Sequence, residues 1–287
     1  MSSGARLASG AVRFIAALLL VLAVGSSIRS QQNVTVARAF HIIAHRGASA
    51  SAPENTLSAF GKAVAMGADI LELDVRQTKD SQLVIMHDGS VGRTTNGSGN
   101  IRDFSLEELR QLDAGSWFDP KFANERIPTL AHVFDSIPRP FTFLVEIKEG
   151  SSASPGIEAR VVKLVHDRRI ENRVILKSFD DVILDSLRRI APEIPRLKII
   201  VTQFSLLNII IEHGVNFGTV FDDSVQYLQH HWFGLTKDFV TEAHEHGYGL
   251  FVWDVNDVER MKEFVLMGVD GIETDYPDLL ASVIAHK

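Results

Sequence analysis

The sequence predicts a (β/α)₈ barrel of the TIM type, with a small insertion between the third and fourth strands. From about residue 40 onward, short apolar runs alternate with amphipathic segments, a pattern typical of a parallel sheet covered by helices. Eight such units fit within about 245 residues, the usual length of a closed barrel. Four successive runs also end in charged or imidazole side chains, where barrels of this type carry their functional residues.

Eight apolar runs have the length expected of strands, and helices are predicted between most of them. The predicted strands are Ile42–Ala44, Ile70–Val75, Leu83–Met86, Thr142–Ile147, Val174–Lys177, Leu197–Val201, Tyr248–Trp253 and Gly271–Thr274. The predicted helices run over Thr56–Met66, from the capping box Ser105-Leu106-Glu107-Glu108, over Phe239–His246 and over Val258–Met267. Three of these helices precede a glycine, which is common just beyond a helix end.

Two features fit this pattern less well. Only seven residues separate Val75 from Leu83, too few for a helical crossover between parallel strands. Phe217–Phe221 is a ninth strand-like run, which we interpret as a loop or an extra element. The connection at about residues 88–140 is long and rich in turn-forming residues, so we interpret it as an insertion over the mouth of the barrel.

The first residues have the character of a targeting segment. Arg6 and Arg13 precede an apolar run from Phe14 to Val24, and no acidic residue occurs before Glu54. The run is short for a membrane span of about 20 residues and suits the core of a signal peptide. We therefore predict a secreted, periplasmic or otherwise extracytoplasmic protein. An uncleaved membrane anchor and a cytosolic tail are the alternatives.

The predicted organisation is a signal peptide or signal anchor at residues 1–27, a linker at residues 28–40 and one barrel domain at residues 41–287. The net charge is −7 and no lysine or arginine cluster stands out, which argues against a nucleic-acid partner. Contact with a membrane is expected only through the N-terminal anchor or a lipid substrate. The sequence defines no oligomeric state.

Residues 41–88 carry the densest set of chemically active side chains. The stretch contains HIIAHRG, PENT, LELDV and VIMHD, with active groups at the ends of three apolar runs. His45 and His87 can transfer protons, and Arg46 can bind phosphate oxygens. Glu72 and Asp74 are two residues apart on a strand, so both point to one face, where buried carboxylates need a cation. These side chains predict metal-assisted chemistry on a phosphate group.

The end of the next predicted strand repeats this spacing. Glu146 and Lys148 are two residues apart, which places an acid and a base on one face. Because the chain contains no cysteine, a metal ion must be held by oxygen or imidazole ligands. This ligand chemistry favours one divalent cation, Mg²⁺ or Ca²⁺, over a structural zinc ion, and does not choose between the two.

The order of these motifs resembles the glycerophosphodiester phosphodiesterase family. HRG is followed after five residues by PENT, and then by ELDV, MHD and EIK in the family order. FVWDVN and the closing GIETDYPD also match, so the resemblance extends from about residue 41 to about residue 282. It implies a (β/α)₈ barrel that binds one divalent cation.

The resemblance also implies a role for each matching site residue. The matching positions are Glu72, Asp74 and Glu146 for the metal ligands, His45 and His87 for the acid–base pair, Arg46 and Lys148 for the phosphate contacts, Trp253 for packing against the glycerol portion of the substrate, and Glu54 for a supporting group near the site. Three positions depart from the family pattern: Asp254 stands where threonine is frequent, Glu273 where an apolar residue is frequent, and Phe217 where proline is usual.

The predicted function is metal-dependent hydrolysis of a small-molecule glycerophosphodiester to an alcohol and sn-glycerol 3-phosphate. His45 is expected to take a proton from the attacking glycerol hydroxyl, and His87 to protonate the leaving alcohol, through a cyclic phosphate that water then opens. One alternative is a related barrel phospholipase that acts on lyso- or intact phospholipids. An alternative of another class is a non-catalytic protein that binds phosphodiesters or headgroups.

Overall fold

The apolar runs of the sequence form the wall of a closed barrel. This computed structural model describes residues 39–204, 209–211, 215–217, 220–222 and 225–285. The predicted targeting segment at residues 1–27, and the predicted linker apart from residues 39 and 40, lie outside the described residues. Within the described ranges, none of the helices is both long enough and apolar enough to cross a bilayer.

Twelve strands occur among the described residues, and eight of them run parallel around the barrel. The strands are β1 (His41–Ala44), β2 (Ile70–Gln77), β3 (Leu83–Ile85), β4 (Thr142–Ile147), β5 (Val174–Ser178), β6 (Arg196–Ile200), β7 (Thr202–Phe204), β8 (Ile209–Ile211), β9 (Val215–Phe217), β10 (Tyr227–His231), β11 (Gly249–Trp253) and β12 (Gly271–Thr274). The barrel order is β1-β2-β4-β5-β6-β10-β11-β12, and β12 pairs with β1 to close it.

Helices pack outside this barrel, as the alternating pattern predicts, and one further short helix lies in the insertion. They are α1 (Leu57–Ala65), α2 (Leu106–Arg110), α3 (Leu130–Ser136), α4 (Ile157–Arg168), α5 (Asp181–Ile190), α6 (Lys237–Glu245), α7 (Val258–Met267) and α8 (Pro277–Ala285). The predicted capping box at the start of α2 is present, because Ser105 and Glu108 exchange their side-chain and backbone hydrogen bonds. The prediction of a TIM-type barrel is confirmed.

The assignment of one barrel strand is corrected. The run at Leu83 forms β3, which pairs antiparallel with β2 and stays outside the barrel, because its short connection permits only a hairpin. The eighth barrel strand is instead β10. It was not predicted, because its sequence YLQHH is largely polar and forms no apolar run. The insertion follows the third strand along the chain, but in the barrel it lies between the second and third strands.

The strand-like run at Phe217–Phe221 belongs to an extra element. Phe217 ends β9, which pairs with β8 in a small antiparallel sheet of three strands. Val220–Asp222 forms a short 3₁₀ helix, and residues 218 and 219 between these elements lie outside the described residues.

The barrel interior changes from apolar to polar along its axis. Its apolar part contains Ile43, Ile70, Leu144, Ile175, Leu197, Ile199 and Phe251. Two residues further along several of these strands, the same inward face carries Glu72, Glu146, Lys177 and Trp253, and Glu273 follows Gly271 in the same way on β12. The apolar face of each strand thereby fixes the direction of the polar groups that follow at the carboxyl end of the barrel.

Candidate active site

The backbone turn that follows β1 packs directly against helix α1. Arg46 and Gly47 have left-handed φ angles of 54° and 84°. A Cβ atom on Gly47 would lie 2.6 Å from the carbonyl carbon of Ala59, so the backbone has no room for a larger residue. The Arg46 N–H donates to Glu72 Oε2 at 3.0 Å. This path sets His45 and Arg46 against the polar end of the barrel.

The three predicted metal ligands lie together. Glu72, Asp74 and Glu146 are all buried, and each offers an oxygen within 4.8 Å of the oxygens from the other two. Asp74 and Glu146 are register partners on β2 and β4, which explains why they converge. We call this group the carboxylate cage. A compact set of buried carboxylate oxygens suits a hard divalent cation.

Two cations of the chain border the carboxylate cage. Lys148 Nζ lies 2.6 Å from Glu146 Oε1 and 3.4 Å from Asp74 Oδ1. Arg46 Nε lies 3.4 Å from Asp74 Oδ2. Burial opposes ionisation of Asp74, but Lys148 and Arg46 outweigh it and hold the pKa of that carboxyl well below its usual value. For Glu72 the balance is reversed, since burial outweighs the nearby Lys177 and raises the pKa to about 7.

His45 lies beside the cage and is held by a carboxylate. Its Nδ1 is 2.7 Å from Asp275 Oδ1, and its Nε2 is 3.9 Å from Glu273 Oε1. Burial disfavours the imidazolium, but the hydrogen bond to Asp275 and the charges of Glu273 and Glu72 outweigh it and raise the pKa of His45 to about 9. The charges of the protein alone therefore favour a protonated ring.

His87 lies just after the β2–β3 hairpin and is close enough to Asp74 to feel its charge. Arg76 donates from Nε and Nη2 to the His87 carbonyl at 2.8 and 2.6 Å, which anchors the backbone at this point. The ring Nδ1 is 2.7 Å from Asp88 Oδ1. Burial lowers the pKa of His87, Asp74 opposes this change, and the cations Lys148 and Arg46 add to it. Here the protein favours a neutral ring.

Two supporting residues come from the PENT motif. Glu54, predicted to support the site, accepts a hydrogen bond from Arg46 Nη1 at 3.0 Å. Asn55, which sequence reasoning missed, donates from Nδ2 to Asp74 Oδ2 at 2.7 Å. Its φ of 59° is a conformation that asparagine tolerates better than most residues, but the PENT sequence alone does not show that its amide reaches Asp74.

Arg93, in the insertion, was also missed. It donates to Glu54 and to Asp88, and so connects the partner of Arg46 with the partner of His87. A lone arginine in a long loop gives no sign of such a role, because its partners lie on other segments. Asp275 and Lys177 were missed for the same reason, although Glu273 beside them had been noted as a departure.

Trp253 lies at the end of β11, two residues after the inward-facing Phe251. Its ring contacts Phe179 at 5.8 Å and His231 at 5.1 Å between centroids, in edge-on arrangements. The structure thus places it at the carboxyl end of the barrel, where its Nε1 also donates to the Ile200 carbonyl at 3.4 Å.

Comparisons with known proteins agree with this geometry. The sequence profile described as the glycerophosphoryl diester phosphodiesterase family matches residues 45–279. A glycerophosphodiester phosphodiesterase of Caldanaerobacter subterraneus subsp. tengcongensis is 40% identical over 245 residues, which cover 85% of this chain and 97% of that protein.

Two solved structures are similar to this one over most of their length. A phosphodiesterase of Oleispira antarctica in complex with the product sn-glycerol-3-phosphate is 28% identical, with a TM-score of 0.74, and the match covers 85% of this chain and 96% of that chain. A glycerophosphodiester phosphodiesterase of Agrobacterium tumefaciens is 30% identical, with a TM-score of 0.70 and coverage of 85% and 99%.

Proposed function

The chain belongs to the glycerophosphoryl diester phosphodiesterase family, and on that premise we propose that this phosphodiesterase uses one divalent cation, Mg²⁺ or Ca²⁺, to hydrolyse glycerophosphodiesters to an alcohol and sn-glycerol 3-phosphate. The observation that carries the proposal is the buried carboxylate cage of Glu72, Asp74 and Glu146, with His45 at its edge. A protein that only bound headgroups would not need two imidazoles beside such a cage.

The phosphate is held by the cationic side chains of the site. Arg46 and Lys148 both border Asp74, and their N–H groups can bind the non-bridging oxygens. A divalent cation bound by the cage would neutralise charge that develops on the phosphate and lower the pKa of a substrate hydroxyl. The burial of the carboxylates lowers the local dielectric constant and strengthens these interactions.

Proton transfer falls to the two histidines. The glycerol hydroxyl next to the phosphate attacks phosphorus, the bond to the alcohol breaks, and water opens the resulting cyclic phosphate. One ring takes the hydroxyl proton and the other protonates the leaving alcohol. The sequence expectation made His45 the base. The opposite pKa directions of the two rings favour the reverse order, with neutral His87 as base and protonated His45 as acid.

Leaving-group dependence tests this order. A good leaving group such as p-nitrophenolate needs no protonation, so His45→Ala should release it from glycerophospho-p-nitrophenol in the first turnover at nearly the native rate, and should be at least about 100-fold impaired on glycerophosphocholine. His87→Ala should be impaired on both. If His87→Ala is the variant that stays active on the p-nitrophenyl substrate, and His45→Ala is impaired on both substrates, then His45 is the base and His87 the acid, as the sequence predicted.

The reaction itself is tested by phosphorus NMR of glycerophosphocholine with the native protein. The expected result is conversion to sn-glycerol 3-phosphate through a transient cyclic phosphate, with Mg²⁺ or Ca²⁺ required and chelation abolishing turnover. Full activity after thorough removal of metal would show that the cage serves another purpose. The Glu146→Gln variant is the matched test of the cage, since it keeps the side-chain size and removes one ligand charge.

A row of aromatic rings favours a second candidate substrate class, the lysophospholipids. From Trp253 the row continues through His231 and Trp232 to Phe233, with successive centroids 5.1, 5.3 and 5.8 Å apart. Phe233 is 70% exposed, unusual for so large an apolar side chain. If the glycerol of the substrate packs on Trp253, an acyl chain on that glycerol could follow the row outward.

Comparison of two substrates distinguishes these classes. A Phe233→Ser variant should lose activity on lysophosphatidylcholine and retain it on glycerophosphocholine if the row binds an acyl chain. Equal effects on both substrates would remove this candidate. Val182→Ser, which changes another exposed apolar side chain at the start of helix α5, is the control.

We also propose that the protein is exported, which the composition of residues 1–27 supports. Expression of the full chain and N-terminal sequencing of the mature protein would test this. A mature N-terminus near residue 27 in the extracytoplasmic fraction is the expected result. Recovery of the intact chain from membranes would point to the anchor, and recovery from the cytosol would contradict export.

A further inference from the structure

Lys177 lies inside the barrel, against the carboxylate cage. It is the fourth residue of β5, its side chain is 4% exposed, and it follows the inward-facing Ile175 by two positions. Its Nζ lies 3.1 Å from Glu72 Oε1 and 3.6 Å from Glu146 Oε2. It therefore touches two of the three carboxylates assigned to the cation, and the mechanism above gives it no role.

The same ammonium group also binds a carboxylate outside the cage. Nζ lies 3.1 and 3.3 Å from the two oxygens of Glu273, which is itself buried. Gln229 Nε2 donates to Glu273 Oε2 at 2.6 Å, so this carboxylate is held in a fixed orientation. Lys177 is therefore a cationic partner of Glu273 as well as of Glu72.

These contacts define a second group of potential ligands. Glu72, Glu273 and His45 each offer one atom within 4.8 Å of the others, and Glu72 belongs to this group and to the carboxylate cage. Two neighbouring groups that share a carboxylate are the usual basis of a two-metal site. Here Lys177 Nζ already stands between the oxygens of Glu72 and Glu273.

We propose that the ammonium group of Lys177 acts as a fixed cation between Glu72 and Glu273, so that the protein binds one exchangeable divalent cation where the same carboxylates would otherwise bind two. This inference rests on the proposed cation site. Lys177 is a positioning residue in this scheme. It orients Glu72 toward the cage and satisfies Glu273, which without a positive partner would be a costly buried charge.

The test is the number of Mn²⁺ ions bound by the folded full-length protein, measured by equilibrium dialysis and metal analysis. The native protein should bind one ion. Lys177→Met should bind two, and the pair should show the spin coupling of ions about 4 Å apart in electron paramagnetic resonance. The double variant Lys177→Met/Glu273→Leu removes the second group of ligands as well, and should again bind one.

Every other result of this experiment contradicts a stated part of the proposal. A folded Lys177→Met protein with a single Mn²⁺ overturns the proposal, as does a native protein with two. If Lys177→Met is unfolded without metal, Mn²⁺ should restore its fold. Failure to fold at any Mn²⁺ concentration would show that a metal ion cannot replace the ammonium. A native protein that binds no Mn²⁺ would instead contradict the proposed cation site, and with it this inference.

Discussion

Arg93 forms a bidentate pair of hydrogen bonds with Glu54. Its Nη1 donates to Glu54 Oε2 at 2.8 Å and its Nη2 donates to Oε1 at 2.7 Å, while its Nε donates to Asp88 Oδ2 at 2.6 Å. Glu54 binds Arg46, and Asp88 binds His87. One arginine of the insertion thereby holds the partners of two proposed active-site residues, Arg46 and His87.

Arg93→Ala should lower kcat/KM for glycerophosphocholine by roughly 10- to 100-fold, as is usual for residues that orient the groups of a metal site. Arg93→Lys should recover little, because one ammonium cannot make the paired contacts of a guanidinium. Steady-state kinetics and thermal unfolding together provide the measurement. Arg110→Ala, an exposed arginine of the same insertion, is the control. Native kinetics in Arg93→Ala would show that the insertion does not position the site.

Gly47→Ala should destabilise the protein by a few kcal/mol and reduce activity. The new methyl group would lie 2.6–2.9 Å from atoms of Ala59, and the φ of 84° is unfavourable for alanine. Chemical denaturation measures the first effect. The control is Gly61→Ala in helix α1, where a Cβ meets no atom within 4 Å and should stabilise by about 0.5–1 kcal/mol. Equal stability of the two variants would contradict the packing argument for the turn.

In the presence of chelator, the stability of the protein should fall as the pH rises from 6.5 to 9. The folded state raises the pKa of His45 from 6.5 to about 9, so the stabilisation is complete below pH 6.5 and is lost as the ring deprotonates. The loss should be about 3 kcal/mol, or a fall in Tm of roughly 5–10 °C. Glu72, whose pKa is also raised, adds a loss in the same direction between pH 4.5 and about 7.

Asp275→Asn is the matched variant for this experiment. It keeps the shape of the partner and removes the charge that favours protonated His45, so the slope of Tm against pH above 6.5 should become shallower. A native Tm that is constant or rises between pH 6.5 and 9 would contradict the assignment of His45 as the more readily protonated ring.

Asn55→Ala should weaken divalent-cation binding by roughly 10- to 100-fold. The amide of Asn55 donates to Asp74 Oδ2 at 2.7 Å and fixes the direction of that proposed ligand. Native protein should gain about 2.7 kcal/mol of stability at a cation concentration 100 times the Kd, and the variant should need a correspondingly higher concentration. Thermal unfolding across a Mg²⁺ titration measures this shift. Asn100→Ala, at an exposed asparagine, should leave the titration unchanged.

The barrel and the chemical character of its mouth could be predicted because both depend on local sequence. Inward and outward positions alternate along a strand, so the spacing of Glu72 and Asp74 was enough to place them on one face. The strand Tyr227–His231 could not be predicted from an apolar run, because the polar layer of the barrel interior accommodates residues such as Gln229, which interrupt that run. The short connection before Leu83 correctly indicated that this run could not be a parallel neighbour of β2.

The sequence by itself determined that the chain forms a parallel barrel with acids, imidazoles and cations at its carboxyl end, because side-chain periodicity and residue type are local properties. Only the tertiary structure decided which of these groups touch. Lys177 meets Glu72 and Glu273 across the barrel, and Arg93 reaches Glu54 from the insertion, although each pair is far apart in the chain. The opposite pKa directions of His45 and His87 follow from the same contacts, since a pKa depends on the charges and burial that surround the folded group.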